Sequence, residues 1–181
     1  SWKISFTDHA TFKDPSLDDG TWKTIEIPSS WTVIEPHTGT AWMRKTFEIR
    51  PDFSRMNRAL AFTAFDTDET YLNGMLIGAS GVIDDPDSHA YGTPRIYSIP
   101  AELLREGSNV LAVRVRSNLA RSGIAQDEVV VGDLHSIEHA RAIAEVRQIS
   151  FGFLYLTAGL YFLLFYLRMP AIRAHLFFAA F

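Results

Sequence analysis

The sequence predicts a mainly β sandwich of the jelly-roll kind, followed by a linker helix and a membrane-crossing α-helix. Three observations carry that expectation. Short β-rich runs recur between turn signals in the first 134 residues. Apolar and polar residues alternate within them: Met43, Lys45, Phe47 and Ile49 share one face of a strand, while Trp42, Arg44, Thr46 and Glu48 share the other. Finally, residues 149–167, ISFGFLYLTAGLYFLLFYL, form an uncharged run whose helical length of roughly 28 Å matches a bilayer's hydrocarbon thickness.

The β-rich runs cover residues 22–27, 42–49, 59–65, 70–72, 75–78, 95–99, 110–117 and 129–134. Eight strands in about 135 residues suit a sandwich or jelly roll that buries a sufficient core without disulfides. The alternation implies that one sheet face packs and the other meets solvent or ligand. Between residues 72 and 75, Asn73-Gly74 predicts a two-residue hairpin, because both tolerate the positive φ angles of a type I′ turn. Residues 100–107, PAELLREG, open on Pro and close on Gly, which predicts one short helical turn capping the sandwich before Asn109 opens the next strand. From residue 137 to 148 the period becomes helical, with Ile137, Ala140, Ile143, Ala144 and Arg147 at spacings of three and four. No Gly or Pro interrupts the path into residues 149–167, so a stiff stalk is expected.

Charge divides the chain at the same boundary. Residues 1–148 hold 15 Lys and Arg against all 21 Asp and Glu, a formal charge of −6, whereas Arg168 and Arg173 follow the apolar run. Residues 168–175 read as a short cytoplasmic loop by the positive-inside rule, and residues 176–181 as the cut start of a second span. The expected organisation is therefore an exported domain at 1–136, a juxtamembrane helix at 137–148, a first transmembrane helix at 149–167, then that loop and the second span. Such a protein sits in a bacterial inner membrane, with its N-terminal domain periplasmic or extracellular. The absence of cysteine is compatible with an oxidising compartment.

The segments DDGTWKTIEIPSSW (18–31), AWMRKTFEI (41–49), ALAFTAFDTDETYLNGMLIG (59–78), PRIYSIPAELLREGSNVLAVRV (94–115) and RSGIAQDEVVVGD (121–133) occur in an order that resembles the galactose-binding-like jelly roll at the N-terminus of glycoside hydrolase family 2 enzymes. Followed by a membrane helix and an Arg-bearing loop, the whole resembles the bacterial seven-transmembrane receptors with diverse intracellular signalling modules. The resemblance implies a binding or scaffolding domain rather than a glycosidase, because that family's catalytic carboxylates belong to a separate barrel. It also implies further transmembrane helices of the same protein as partners, and a kinase or cyclase as cytoplasmic output.

A sugar site needs exposed rings for the apolar C–H faces and hydrogen-bonding groups for the hydroxyls. Loops and strand ends offer Trp31, Trp42, His89, Tyr91, Arg95, Tyr97, Asn118 and Arg121 as ligand-binding candidates. Against this stands the ordinary role of large aromatics, which is to fill a core. The expected ligand is a carbohydrate or another small polar molecule, with a second copy of the chain as a further candidate partner.

Other chemistries have weak support. The acidic loop at 84–89, DDPDSH, offers oxygens without the regular spacing of a calcium hand. His135 and His139 stand four apart, and two ligands alone do not build a zinc site, so no metal or cofactor is expected. The residues Asp66-Thr67-Asp68-Glu69 read as local hydrogen-bonding groups preceding the hairpin. There is no cysteine and no GxSxG nucleophile elbow, and Gly78-Ala-Ser-Gly81 lacks the spacing and lysine of a phosphate loop. The charge of −6 disfavours nucleic acid. Two rivals stand beside the sensor reading: a protein-interaction or structural module, and an accessory domain of a membrane-tethered glycosidase.

Overall fold

The computed structural model describes residues 1–53, 57–119 and 122–168, with the backbone alone at 125–128. It divides into two compact units, Ser1–Ile137 and Glu138–Phe181. The first is a sandwich of nine antiparallel strands among the described residues: β1 Trp2–Ser5, β2 Lys23–Ile25, β3 Gly39–Ile49, β4 Arg58–Ala64, β5 Thr67–Leu72, β6 Met75–Ser80, β7 Pro94–Ile99, β8 Gly107–Ser117 and β9 Ile124–Asp133. One sheet has the order β2-β1-β3-β8-β5-β6 and the other β7-β4-β9. All eight expected strands are present, and β1 is the addition. Only four residues long, β1 has too little sequence to show a period.

The longest pairing, β3 with β8, runs from Gly39 opposite Ser117 to Ile49 opposite Gly107. Its inward face carries Ala41, Met43, Val113 and Val115, which meet Leu60, Phe62 and Ile124 of the smaller sheet in one core. Trp31 enters this core from a short 3-10 turn and is wholly inaccessible. Fully burying one such apolar side chain contributes about 2–3 kcal/mol.

The outer face of the large sheet corrects the sequence expectation. Trp42 and Arg44 are each only 1% exposed, although Thr46 and Glu48 on the same face are open. The chain before β2 folds over the sheet and is held there by Arg44. Its guanidinium donates to the carbonyls of Phe12, Asp14 and Leu17 and pairs with Asp19 at 2.9 Å. The Trp42 indole donates to Asp8 at 2.8 Å and stacks on Tyr71. Alternation reveals which residues share a face, but not whether another segment covers that face.

The β5–β6 hairpin turns at Asn73 and Gly74, with φ of 49° and 87°, as the type I′ pattern requires. At Gly78, Tyr97 lies so close that an added Cβ would stand 2.2 Å from its ring, so glycine permits this approach. Residues 100–107 form a hydrogen-bonded turn, Leu103 N donating to Pro100 O, without a helix.

The second element class is one helix, α1 Leu134–Arg168. It begins three residues earlier than the helical period indicates, because Asp133 caps it: the Asp133 carboxylate accepts from Ser136 N at 2.9 Å and from the Ser136 hydroxyl at 3.0 Å. These bonds hold the Asp133 carboxyl below its ordinary range. The helix is long and apolar enough to cross a membrane, with a mean hydropathy of 1.7 over its most apolar window. Ser150 and Thr157 satisfy their hydroxyls on the carbonyls of Val146 and Phe153, the usual solution for polar groups within an apolar helix. The expected loop beyond Arg168 and the second span at 176–181 lie outside the described residues.

Candidate functional site

Strand register gathers four connections at one end of the sandwich. Gly39 begins β3 opposite Ser117, Thr67 begins β5 opposite Arg116, Asp68 faces Ser80, and Thr63 faces Pro94. The β2–β3, β4–β5, β6–β7 and β8–β9 connections therefore emerge together. Three buried cations shape this end and its flank, one being Arg44 and the others Arg95 and Arg116.

Arg95 and Asp68 are both fully buried and pair at 2.7 Å. The rest of the Arg95 guanidinium donates to the carbonyls of Thr93 and Asp66. Asp68 also accepts from the hydroxyls of Thr70 at 2.9 Å and Tyr97 at 3.0 Å. Burial raises the Asp68 carboxyl above its ordinary value, and Arg95 opposes this only in part. The same burial and the Asp68 charge push the Tyr97 phenol well up.

Arg116 reaches into the acidic loop. It donates to the carbonyls of Ile83 at 2.7 Å, Asp85 at 2.6 Å and Pro86 at 3.0 Å. A guanidinium thus gathers the backbone oxygens that a calcium loop would turn toward its ion. Among the described residues, no group of three or more His, Asp or Glu side chains is placed to hold a metal.

Above these cations lies the accessible part of the site. The rings of His89 and Tyr91 stack with centroids 4.8 Å apart and planes 17° from parallel, and Tyr91 is 46% exposed. Beneath them is Asp66, wholly buried. Its Oδ1 accepts from Ala90 N at 3.0 Å, and its Oδ2 faces His89 Nδ1 at 3.5 Å. Desolvation, the Asp66 charge and a hydrogen bond to Asp66 push the Tyr91 phenol up. The arrangement offers a flat π surface beside an anionic acceptor, which suits a ligand with both an apolar face and hydroxyl donors.

The eight candidates separate accordingly. His89, Tyr91, Arg95 and Tyr97 come together: the first two are exposed, Arg95 is buried as a brace, and Tyr97 is half-buried with its hydroxyl 2.7 Å from Ser80. Asn118 is exposed just past β8. Trp31 and Trp42 are buried, Trp31 in the core and Trp42 under the segment that Arg44 holds, so neither presents a ring at the surface. Arg121 lies outside the described residues. Sequence reasoning assigned Asp66 and Asp68 to local bonding, but their partners Ala90 and Arg95 are more than 20 residues away. Arg116 lies opposite the inward Val113 and Val115 in the alternation of β8, and only the tertiary fold places it against the acidic loop.

A second polar cluster occupies the outer face, where Asp8, Lys13, Trp42, Glu69, Tyr71 and Arg114 line a cleft of roughly 150 Å³. Arg114 pairs there with Asp8 at 2.6 Å and Glu69 at 3.2 Å, Glu69 accepts from the Tyr71 hydroxyl, and the Lys13 ammonium lies over the Tyr71 ring. Burial and Glu69 push Tyr71 up to about 12.

This sandwich is similar in structure to one part of several glycoside hydrolases. A calcium-binding mutant of Bacteroides uniformis β-glucuronidase 2 matches with a TM-score of 0.59 and 20% identity, covering 72% of this chain and 17% of that one. A β-glycosidase from Bacteroides vulgatus matches with a TM-score of 0.56 and 21% identity, covering 73% and 19%. A glycosyl hydrolase family 2 member from Bacteroides cellulosilyticus matches with a TM-score of 0.50 and 25% identity, covering 64% and 16%. The chain thus spans less than a fifth of each of these proteins. No protein-family model and no curated protein sequence matches it. The likeness defines a jelly-roll sandwich of the type those enzymes carry, here followed by one helix able to cross a membrane.

Proposed function

We propose that this chain is the exported carbohydrate-sensing domain and first membrane helix of a bacterial transmembrane signalling receptor. The observation that carries the reading is the exposed His89–Tyr91 stack at the loop end, held over the buried Asp66 carboxylate. A sugar ring lies with its C–H face on the stack and its hydroxyls toward the rim, where Asn118 is exposed, while Asp66 fixes the two rings from below. The likeness to glycoside hydrolase sandwiches supports a saccharide over other polar ligands. The residues present bind rather than catalyse, and the sandwich faces the periplasm or exterior while α1 enters the inner membrane. For signalling, the ligand favours one arrangement of the sandwich and membrane helices over another, since equal affinity for both would transmit nothing.

One observation favours a second reading, a protein-interaction module. Val82 and Leu119 on the same connections are 58% and 49% exposed, an apolar rim that suits a protein surface. Calorimetric titration of the full chain in nanodiscs against a glycan panel separates the two. The sensor reading expects at least one saccharide to bind, with Tyr91→Ala and Asp66→Asn each weakening it tenfold or more, about 1.4 kcal/mol. A panel without a binder, or binding untouched by both substitutions, refutes the site.

A further inference from the structure

The inward row of the large sheet contains one anomaly. Across neighbouring strands it reads Ile25, Trp2, Lys45, Leu111 and Leu72: Ile25 pairs with Trp2, Lys45 with Leu111 and Leu111 with Leu72, while Lys3 opposite Arg44 sets Trp2 beside Lys45. Four members of this row are buried apolar side chains. The fifth is a lysine, at a position where alternation calls for a hydrophobe.

Around that lysine the sandwich is open. The smaller sheet has three strands against six, and the inward row of β3 passes from fully buried at Ala41 and Met43 to partly exposed at Lys45 and Phe47. A cavity of roughly 360 Å³ lies there, lined by Trp2, Ile27, Phe47, Leu111, Val129 and Val131, with Lys45 the one charged group in its wall among the described residues. Its size falls within the range of small-ligand sites, roughly 300–1,000 Å³. Lys45 Nζ donates to Ser1 O at 2.7 Å, a neutral acceptor, and no carboxylate among the described residues forms an ion pair with it. The outer cleft offers the contrast, since its guanidinium, Arg114, is paired with the carboxylates of Asp8 and Glu69.

We propose that this cavity is a second ligand site, separate from the loop end, for a small amphiphilic anion with an aliphatic body and a carboxylate head. The body fills the space between Trp2, Phe47, Leu111 and the two valines of β9, removing apolar surface from water. The head meets Lys45 at the wall, where a charge-assisted hydrogen bond replaces the one to Ser1 O. An apolar walled pocket whose one cation among the described residues has no carboxylate partner among them selects against uncharged chains and against sugars. Affinity is expected to rise roughly fourfold for each added methylene until the cavity is full.

Tryptophan fluorescence tests this in the full chain in nanodiscs, because all four tryptophans precede residue 43 and none lies in α1. The probe is ω-bromodecanoate, whose bromine quenches an indole on contact, with neutral ω-bromodecanol as its partner. Saturable quenching by the carboxylate is expected. Trp2→Phe should abolish it, whereas Trp22→Phe should leave it intact. Lys45→Met, which suits an apolar row and keeps the fold, should weaken carboxylate binding tenfold or more and leave the alcohol unchanged. Absence of saturable quenching overturns the proposal, as does quenching that survives Trp2→Phe or falls equally for both probes in Lys45→Met.

Discussion

Removing the guanidinium of Arg95 tests how the candidate site is held up. Arg95 and Asp68 share a site with no solvent access, so Arg95→Met leaves a carboxylate buried without its cation. Losing one partner of a buried pair costs about 3–5 kcal/mol. For a unit of this size that lowers the unfolding midpoint by about 12–20 °C. The double variant Arg95→Met/Asp68→Asn removes the stranded charge and should recover more than half of the loss. The carbonyls of Thr93 and Asp66 stay unpaired in it, a residual of about 1–2 kcal/mol. Acidity gives an independent check. Burial already raises Asp68 above 3.8 with Arg95 present, and taking Arg95 away raises it further. The folded single variant then binds a proton more tightly than its unfolded chain. Its stability relative to wild type therefore rises as pH falls through the folded value and declines as pH increases through it. Thermal melts followed by tryptophan emission report on this sandwich alone, all four indoles lying within it. A single variant within about 1 kcal/mol of wild type, or a double variant no better than the single, refutes the reasoning.

Two further outcomes are expected. Asn73→Gly keeps the positive φ of the hairpin turn but deletes the side-chain bonds to Leu103 O, Asn109 Oδ1 and Val110 N, so it should cost about 2–3 kcal/mol in urea unfolding. A neutral result would make Asn73 a turn residue only. Arg114 and the Trp42 indole hold Asp8 below its ordinary value of 3.8. That contribution is present above 3.8 and is lost as pH falls through the folded value; Asp8→Asn should therefore shrink the stability difference between neutral pH and about pH 3. Because Asp8 is partly exposed, the effect stays below about 1 kcal/mol, and an unchanged acid limb in urea midpoints counts against it.

The hairpin shows what local sequence can convey. Asn73-Gly74 announces its turn because positive φ is a property of two residues, independent of anything distant. The rest of Asn73 was not legible: its amide fastens the hairpin to the β7–β8 connection through Asn109, itself buried and bonded to Arg105 N and O. In the candidate site, His89 and Tyr91 were legible as loop residues with rings. Asp66, the buried carboxylate beneath those rings, was not, since its surroundings come from a segment more than 20 residues on. The two tryptophans show the opposite difficulty, because an indole near a strand end reads alike whether a later fold covers it or exposes it.

By itself the sequence determined the class of the molecule. Period-two alternation, turn residues and an uncharged run of bilayer length are physical properties of short windows, and they specify strands, a sandwich and a helix able to cross a membrane. The tertiary structure alone decided which faces are covered and where cations go. Arg44 and Arg116 occupy polar positions of alternating strands and Arg95 the inward face of β7 beside Tyr97 and Ile99, yet all three are buried, because each binds backbone carbonyls that include some the chain supplies from far away. Lys45 occupies an apolar position and lines an open cavity, where the inward row of β3 passes from buried to partly exposed. A charged side chain's place depends on whether distant oxygens or apolar surfaces arrive beside it, and strand register sets that only when the whole sandwich closes.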